Sequence, residues 1–200
     1  MTSSRQIREI IEKSEPNTIF VCKDFSNITN IRNVKVILNR LIKEHIIFRL
    51  IDGIYYKPKF FDEISEYVPL SIYAVARKIA LNYDWNICPA GEAALNYLGL
   101  STQVISRYIF RSDGPYRDYD IEGKLLSFRH TNNISIKNMS LKTAIVIEAL
   151  RYKGKEKVTK EDIYQIGRVL NNEDKEKLLV ESSKTLSWVY EIIKEIVRID

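Results

Sequence analysis

The dipeptide Asp52-Gly53 constrains this chain more than any other feature. It separates two β-branched and aromatic runs, Ile46 to Ile51 and Ile54 to Lys57. Asp-Gly between such runs is the strongest short-range signal for a two-residue β-hairpin of type I′, which needs positive φ at both central positions. Upstream of His45 the period is different. Val34, Ile37, Leu38, Leu41 and Ile42 recur at i, i+3, i+4, i+7 and i+8, the apolar stripe of a helix. A helix running directly into a hairpin is therefore predicted between Asn30 and Lys57.

The preceding residues complete a pattern. Ser3 and Gln6 have capping-box spacing, and Ile7, Ile10 and Ile11 predict a first helix to about Ser14, stopped by Glu15-Pro16-Asn17. Thr18 to Val21 is β-prone, Asp24 to Asn27 suits one helical turn, and Ile28-Thr29-Asn30 leads to an N-cap. Helix, short helix, helix and ribbon in this order describe a winged helix-turn-helix, in which one helix enters the major groove and the hairpin lies on the adjacent backbone.

The charge falls where that architecture would use it. The whole-chain excess of +5 is weak evidence alone. From Lys23 to Lys59, however, eight cations face three anions, and 8 − 3 gives +5 for this segment. The apolar stripe turns Arg32, Asn33, Lys35, Val36, Asn39, Arg40 and Lys43 outward, and Asn30 stands at the helix start. A charged helix face is most often only a solvated face. Here amides accompany the cations, anions are nearly absent, and a basic wing follows, which favours double-stranded DNA as the partner. Arginine and amide side chains pair bidentately with guanine and adenine edges. Lys35, Arg40, Lys43, Arg49, Lys57 and Lys59 are candidate phosphate contacts. Strand alternation turns one of Tyr55 and Tyr56 to the core and the other toward a phosphate, with Tyr55 placed in the candidate interface.

Phe60 to Pro69 reads as a boundary whose Phe60, Phe61, Ile64 and Tyr67 need cover, giving two domains, 1–67 and 68–200. Beyond it, Ile72, Val75, Ala76, Ile79 and Ala80 form a helical stripe, and Ala90 to Leu98 predicts a short helix ended by Gly99. Val104 to Phe110, Tyr116 to Ile121 and Lys124 to His130 read as strands. Helices follow over Leu141 to Tyr152, after an N-cap at Thr159 with Asp162 three residues on, and around Trp188 to Val197. The fold class is α+β: an N-terminal winged helix-turn-helix followed by a small mixed α/β domain with a helical C-terminal region.

Motifs for catalysis are missing. A phosphate loop GxxxxGK would need glycine where Asp118 stands, there is no GxSxG, and His45 and His130 have no zinc-ligand spacing. Asp118 and Asp120 share one strand face and form the one pair suited to magnesium, but a nucleotidyl-transfer site also needs an upstream Gly-Ser turn and a third carboxylate. No cofactor, no metal and no enzymatic activity are expected. The rival class is a magnesium-dependent nucleotide-handling enzyme built on the α+β domain. Cys22 and Cys88 are too few for a disulfide framework, and neither an apolar signal core nor a membrane span is present, so a cytoplasmic protein is expected.

The segments VCKDFSN, LNRLIKEHIIFRLIDGIYYKPK, CPAGEAALNYLGLST, FRHTNN and IEALRYKG, in this order, resemble the AbiEi family of bacterial antitoxins. The resemblance implies a type IV toxin-antitoxin role. A winged helix represses its own promoter at inverted repeats, as a monomer or weak dimer on DNA, and a C-terminal domain counteracts a nucleotidyltransferase toxin without a stable complex. Such pairs act in abortive infection by phage. The helix from Asn30 to Glu44 matches the recognition helix and Arg49 to Lys57 the wing, while Arg129 and His130 are candidates for an antitoxin surface. The PAGEAALNYLGLST segment is also explained by packing alone, as a proline-started helix closed by glycine. A winged-helix regulator unrelated to any toxin is the further alternative.

Overall fold

The structure is a computed structural model that describes residues 2–63, 65–131 and 139–199. It is a mixed α+β protein, and its contacts divide it into two compact units, Met1–Asp84 and Trp85–Asp200.

In the first unit, α1 (Ser3–Lys13) buries Ile7 and Ile11 and is capped by Thr2, whose hydroxyl accepts the Arg5 amide at 3.4 Å. The cap thus lies one residue before the expected Ser3. β1 (Ile19–Val21) runs into a 3₁₀ turn (Cys22–Phe25) fixed by Asp24, whose carboxylate accepts the Val21 amide at 2.8 Å. Asn30 caps α2 (Ile31–Lys43) by accepting the Asn33 amide at 3.0 Å. At the other end His45 takes φ 58°, its amide reaches Ile42 O and the Ile46 amide reaches Leu41 O, both at 3.0 Å. This paired closure satisfies two orphan carbonyls of α2 and turns the chain back toward its own core. β2 (Phe48–Ile51) and β3 (Ile54–Tyr56) follow, and the sheet order is β1-β3-β2, all antiparallel.

The Asp52-Gly53 hairpin is where the sequence places it, but it is not type I′. Gly53 has φ 77°, whereas Asp52 stays outside the positive-φ region, and the register slips between Arg49 and Ile51 so that Leu50 bulges. The bulge supplies the local twist that the second left-handed residue of a type I′ turn would otherwise provide. A Cβ on Gly53 would meet nothing within 4 Å, so the demand for glycine there is purely conformational.

Ile7, Ile11, Phe20, Phe25, Val34, Leu38, Leu41, Ile47 and Tyr55 form one core beneath α1 and α2. All three residues of β1 are buried, and α3 (Ile72–Tyr83) packs against it, with Ile19 sharing a groove with Ala74, Lys78 and Leu81. An ion pair between Lys78 and Asp24 at 2.8 Å ties α3 to the 3₁₀ turn. The dividing point therefore falls after Asp84, and not at 67/68 as the boundary composition suggests: the stripe of Ile72, Val75, Ala76, Ile79 and Ala80 announces a helix without saying which core receives it. Phe60, Phe61 and Tyr67, expected to be covered, are exposed on a short ribbon, β4 (Phe60–Phe61) with β5 (Glu66–Tyr67). They partly cover one another, for Tyr67 meets Phe48 and Phe60 edge-on, each at 5.1 Å between ring centres. Ile64 lies outside the described residues.

The second unit holds β6 (Ile87–Ala90), α4 (Glu92–Tyr97), β7 (Arg107–Ser112), β8 (Arg117–Ile121) and β9 (Lys124–His130) in a sheet of order β6-β7-β9-β8. β7 and β9 are parallel and the other pairs antiparallel. Gly99, at φ 71°, closes α4 as expected, and the helix starts at Glu92 because β6 occupies Ile87 to Ala90. α5 (Leu141–Lys153) is buried on most sides, and α6 (Lys160–Val169), α7 (Asn172–Glu181) and α8 (Ser187–Ile196) surround the core that includes Ile145, Leu150, Ile166, Leu178 and Ile193. Thr159 caps α6 through a reciprocal box with Asp162, whose carboxylate also takes an ion pair from Lys153.

Two expected outcomes follow from these units. A fragment ending at Asp84 melts cooperatively in circular dichroism, whereas one ending at Tyr67, which strips α3 from β1, does not. Burial pushes the Asp162 carboxyl up, but its bonds from Lys153 and Thr159 outweigh this and hold it below the ordinary value. Its contribution is complete above the unfolded carboxyl value near 3.9 and is lost as pH falls through the lower folded value. Asp162→Asn should lower the melting temperature at neutral pH and flatten its dependence on acid below about pH 5; an unchanged acid profile would count against the ion pair.

Candidate nucleic-acid interface

The core side of α2 leaves Arg32, Lys35, Val36, Asn39, Arg40 and Lys43 on one exposed arc, spanning about 140° at 100° per residue. No acid lies within α2. Glu44, the acid that follows it, is taken by Arg8, whose guanidinium reaches Glu44 at 2.5 Å and Glu12 at 2.8 Å. Arg32, Lys35, Arg40, Lys43 and Lys59 make no hydrogen bond or ion pair among the described residues, so their charge is presented to solvent unneutralised.

The hairpin is clipped to this helix. Arg49 donates to Asn39 Oδ1 at 2.7 Å, and its guanidinium lies 5.7 Å from the centre of the Tyr55 ring. Arg49 thus stays exposed but oriented, and Asn39 holds the hairpin by its carbonyl oxygen. Tyr55 is a correction: it is only 2% exposed, in the core of the unit, and burial pushes its hydroxyl above the ordinary tyrosine value. Tyr56 is buried as well, because β3 is the central strand and is covered on both faces. Simple alternation fails for a strand in that position.

Lys57 is also placed differently from the expectation. Its ammonium donates to Glu12 O at 2.6 Å and Ser14 O at 2.7 Å, closing the C-terminus of α1. It completes the carbonyls left open there and complements the negative end of the helix. Asn30 and Asn33 remain at the start of α2, Asn30 as cap and Asn33 with its amide nitrogen 3.1 Å from Thr29 Oγ1. The candidate interface therefore keeps the exposed arc of α2 together with Arg49, while Tyr55 and Lys57 drop out of it, and Lys59 stands exposed just before β4.

In the second unit Arg129 donates to Asp118 at 2.8 Å, which holds that carboxyl below the ordinary carboxylate range. His130 Nδ1 lies 2.9 Å from Gly114 O, so the two neighbouring residues are drawn into different local contacts. Ser127, fully buried, receives Arg107 and Arg129, each at 3.3 Å. Arg107 and Ser127 escaped sequence reasoning; their two-residue alternation with Arg129 and Arg111 on paired strands was the available signal. The Asp118 and Asp120 pair is spent internally, Asp120 accepting the Gly123 amide at 2.9 Å. Among the described residues no group of three His, Cys, Asp or Glu is placed to hold a metal ion. Asn132 and Asn133 of the FRHTNN segment lie outside the described residues. Among the described residues, no helix is long and apolar enough to cross a membrane.

Residues 6–178 match a family described as of unknown function, DUF6088. No curated protein matches the chain. A crystal structure of the Rv2827c protein from Mycobacterium tuberculosis is similar with a TM-score of 0.49 and 9% identity, over 98% of this chain and 75% of that one.

The division between capping and exposed lysines is measurable. Lys57→Ala should cost about 1 kcal/mol of stability in urea denaturation through the lost carbonyl bonds, and leave the salt dependence of DNA binding unchanged. Lys43→Ala should leave stability unchanged and reduce the salt slope by about one counterion. Reversal of the two results would return Lys57 to the interface.

Proposed function

We propose that this chain, which belongs to the DUF6088 family, is a DNA-binding autorepressor and antitoxin whose first unit is a winged helix-turn-helix. The observation that carries the DNA reading is the acid-free exposed arc of α2, with four unpaired cations, beside a hairpin held by Arg49 and Asn39. α2 would lie in the major groove with Arg32 toward a guanine edge, and Arg40, expected above at a phosphate, would join it because it stands on the same exposed arc about two turns further along α2. Lys35, Lys43, Arg49 and Lys59 would take phosphates on either side. The ligand is the chain's own promoter, bound at inverted repeats by a monomer or weak dimer. Fixing Arg49 before binding lowers the ordering cost of the wing, a reason to hold it by a hydrogen bond rather than leave it free.

The antitoxin half of the proposal rests on the AbiEi resemblance. In it the second unit counteracts a nucleotidyltransferase toxin in the cytoplasm without a stable complex, and Arg129 is the candidate surface residue. His130 stands beside it in sequence but faces a different backbone contact. No catalytic role is assigned to the chain.

The test joins binding and protection. Arg32→Ala or Arg40→Ala should weaken binding to the upstream DNA by about 1 to 3 kcal/mol and relax its sequence preference; equal loss on scrambled DNA would leave only phosphate contact. Co-expressed with the toxin, Met1–Asp84 should repress a promoter reporter without rescuing colonies, and Trp85–Asp200 should rescue without repressing. Full rescue by the first fragment would attribute protection to repression alone.

A further inference from the structure

Val36 is 45% exposed and stands in the middle of the cationic arc, with Arg32 one turn before it and Arg40 one turn after. A single exposed aliphatic residue is ordinary on a protein surface. This one lies where a groove-facing helix would put its side chain closest to base edges, and its β-branch gives no benefit to the helix. The other exposed aliphatic of α2, Ile31, lies about 100° around the helix from Arg32 and about 40° beyond Lys35, outside the arc.

The amides beside Val36 are already engaged. Bidentate reading of adenine needs both the oxygen and the nitrogen of an amide. Asn39 has given its oxygen to Arg49, and Asn33 has turned its nitrogen to Thr29. An A·T pair offers one further mark in the major groove, the thymine 5-methyl, which is read by apolar contact. We propose that Val36 reads a thymine methyl at the centre of each half-site, flanked by the bases that Arg32 and Arg40 contact. The inference rests on the DNA reading above and adds to it the base that the centre of α2 selects.

The test uses the full chain and its upstream DNA, with each thymine of the protected sites replaced in turn by deoxyuridine, which lacks only the methyl. One replacement per half-site should weaken binding roughly fourfold, the worth of one buried methyl, and the others should have no effect. In Val36→Ser, which puts a short polar side chain at this exposed helical position, that same replacement should make no difference. If Val36→Ser retains the wild-type sensitivity, or if no thymine position is sensitive in the wild type while upstream DNA is still preferred over scrambled DNA, the assignment of Val36 is overturned and the DNA reading stands. If upstream and scrambled DNA bind alike, both fall together.

Discussion

The first unit depends on the turn at His45. α2 must bury Val34, Ile37, Leu38 and Leu41, and the chain must then reverse within three residues so that Ile47 and Tyr55 reach the same core. A left-handed residue other than glycine costs about 1 to 2 kcal/mol. Here the cost is offset by the two backbone bonds to Ile42 and Leu41 and by Ile46 packing on the core. Because this reversal fixes the hairpin against the helix, it also fixes which face of α2 is left for solvent. The surface chemistry is thus a consequence of where the apolar stripe ends.

Much of this was legible because it is local. The stripe of α2, the cap at Asn30, the hairpin at Gly53 and the capping box of Thr159 with Asp162 each follow from residues a few positions apart. What was not legible is set by partners distant in sequence. β6 carries no alternation, since Cys88, Pro89 and Ala90 are all buried between sheet and helices. The parallel pairing of β7 with β9 leaves no trace in either strand alone. α3 announces its buried face, yet only contact with β1 decides the unit it joins.

The candidate site shows the same limit in electrostatic form. Counting from Lys23 to Lys59 treats every cation as available to a ligand, but a charge is available only if the fold has not used it. Lys23 pairs with Asp84 at 3.2 Å and Lys57 closes α1, so both act within the unit. Arg49 occupies a middle case, committed by one bond and still exposed. What survives is a smaller and more concentrated field on α2, and its concentration is a better argument for a polyanion than the total of +5.

The second unit spends its cations differently. Arg111 and Arg151 share Glu148, Arg129 takes Asp118, Lys142 takes Asp174 and Lys153 takes Asp162. Several of these pairs join strand to strand or helix to helix, where they set register and packing. Pairs with one partner well exposed, such as Asp118 with Arg129, contribute little to stability, so their use is in placement. Other cations of this unit, among them Arg117, Lys155, Lys157 and Lys160, are exposed and enter none of these pairs, but exposed acids such as Glu156 and Glu161 are interspersed with them, unlike on α2. An acid-free cationic arc is thus found on α2, while the second unit mixes both signs of charge, and this difference is what places the proposed DNA contact on the first unit.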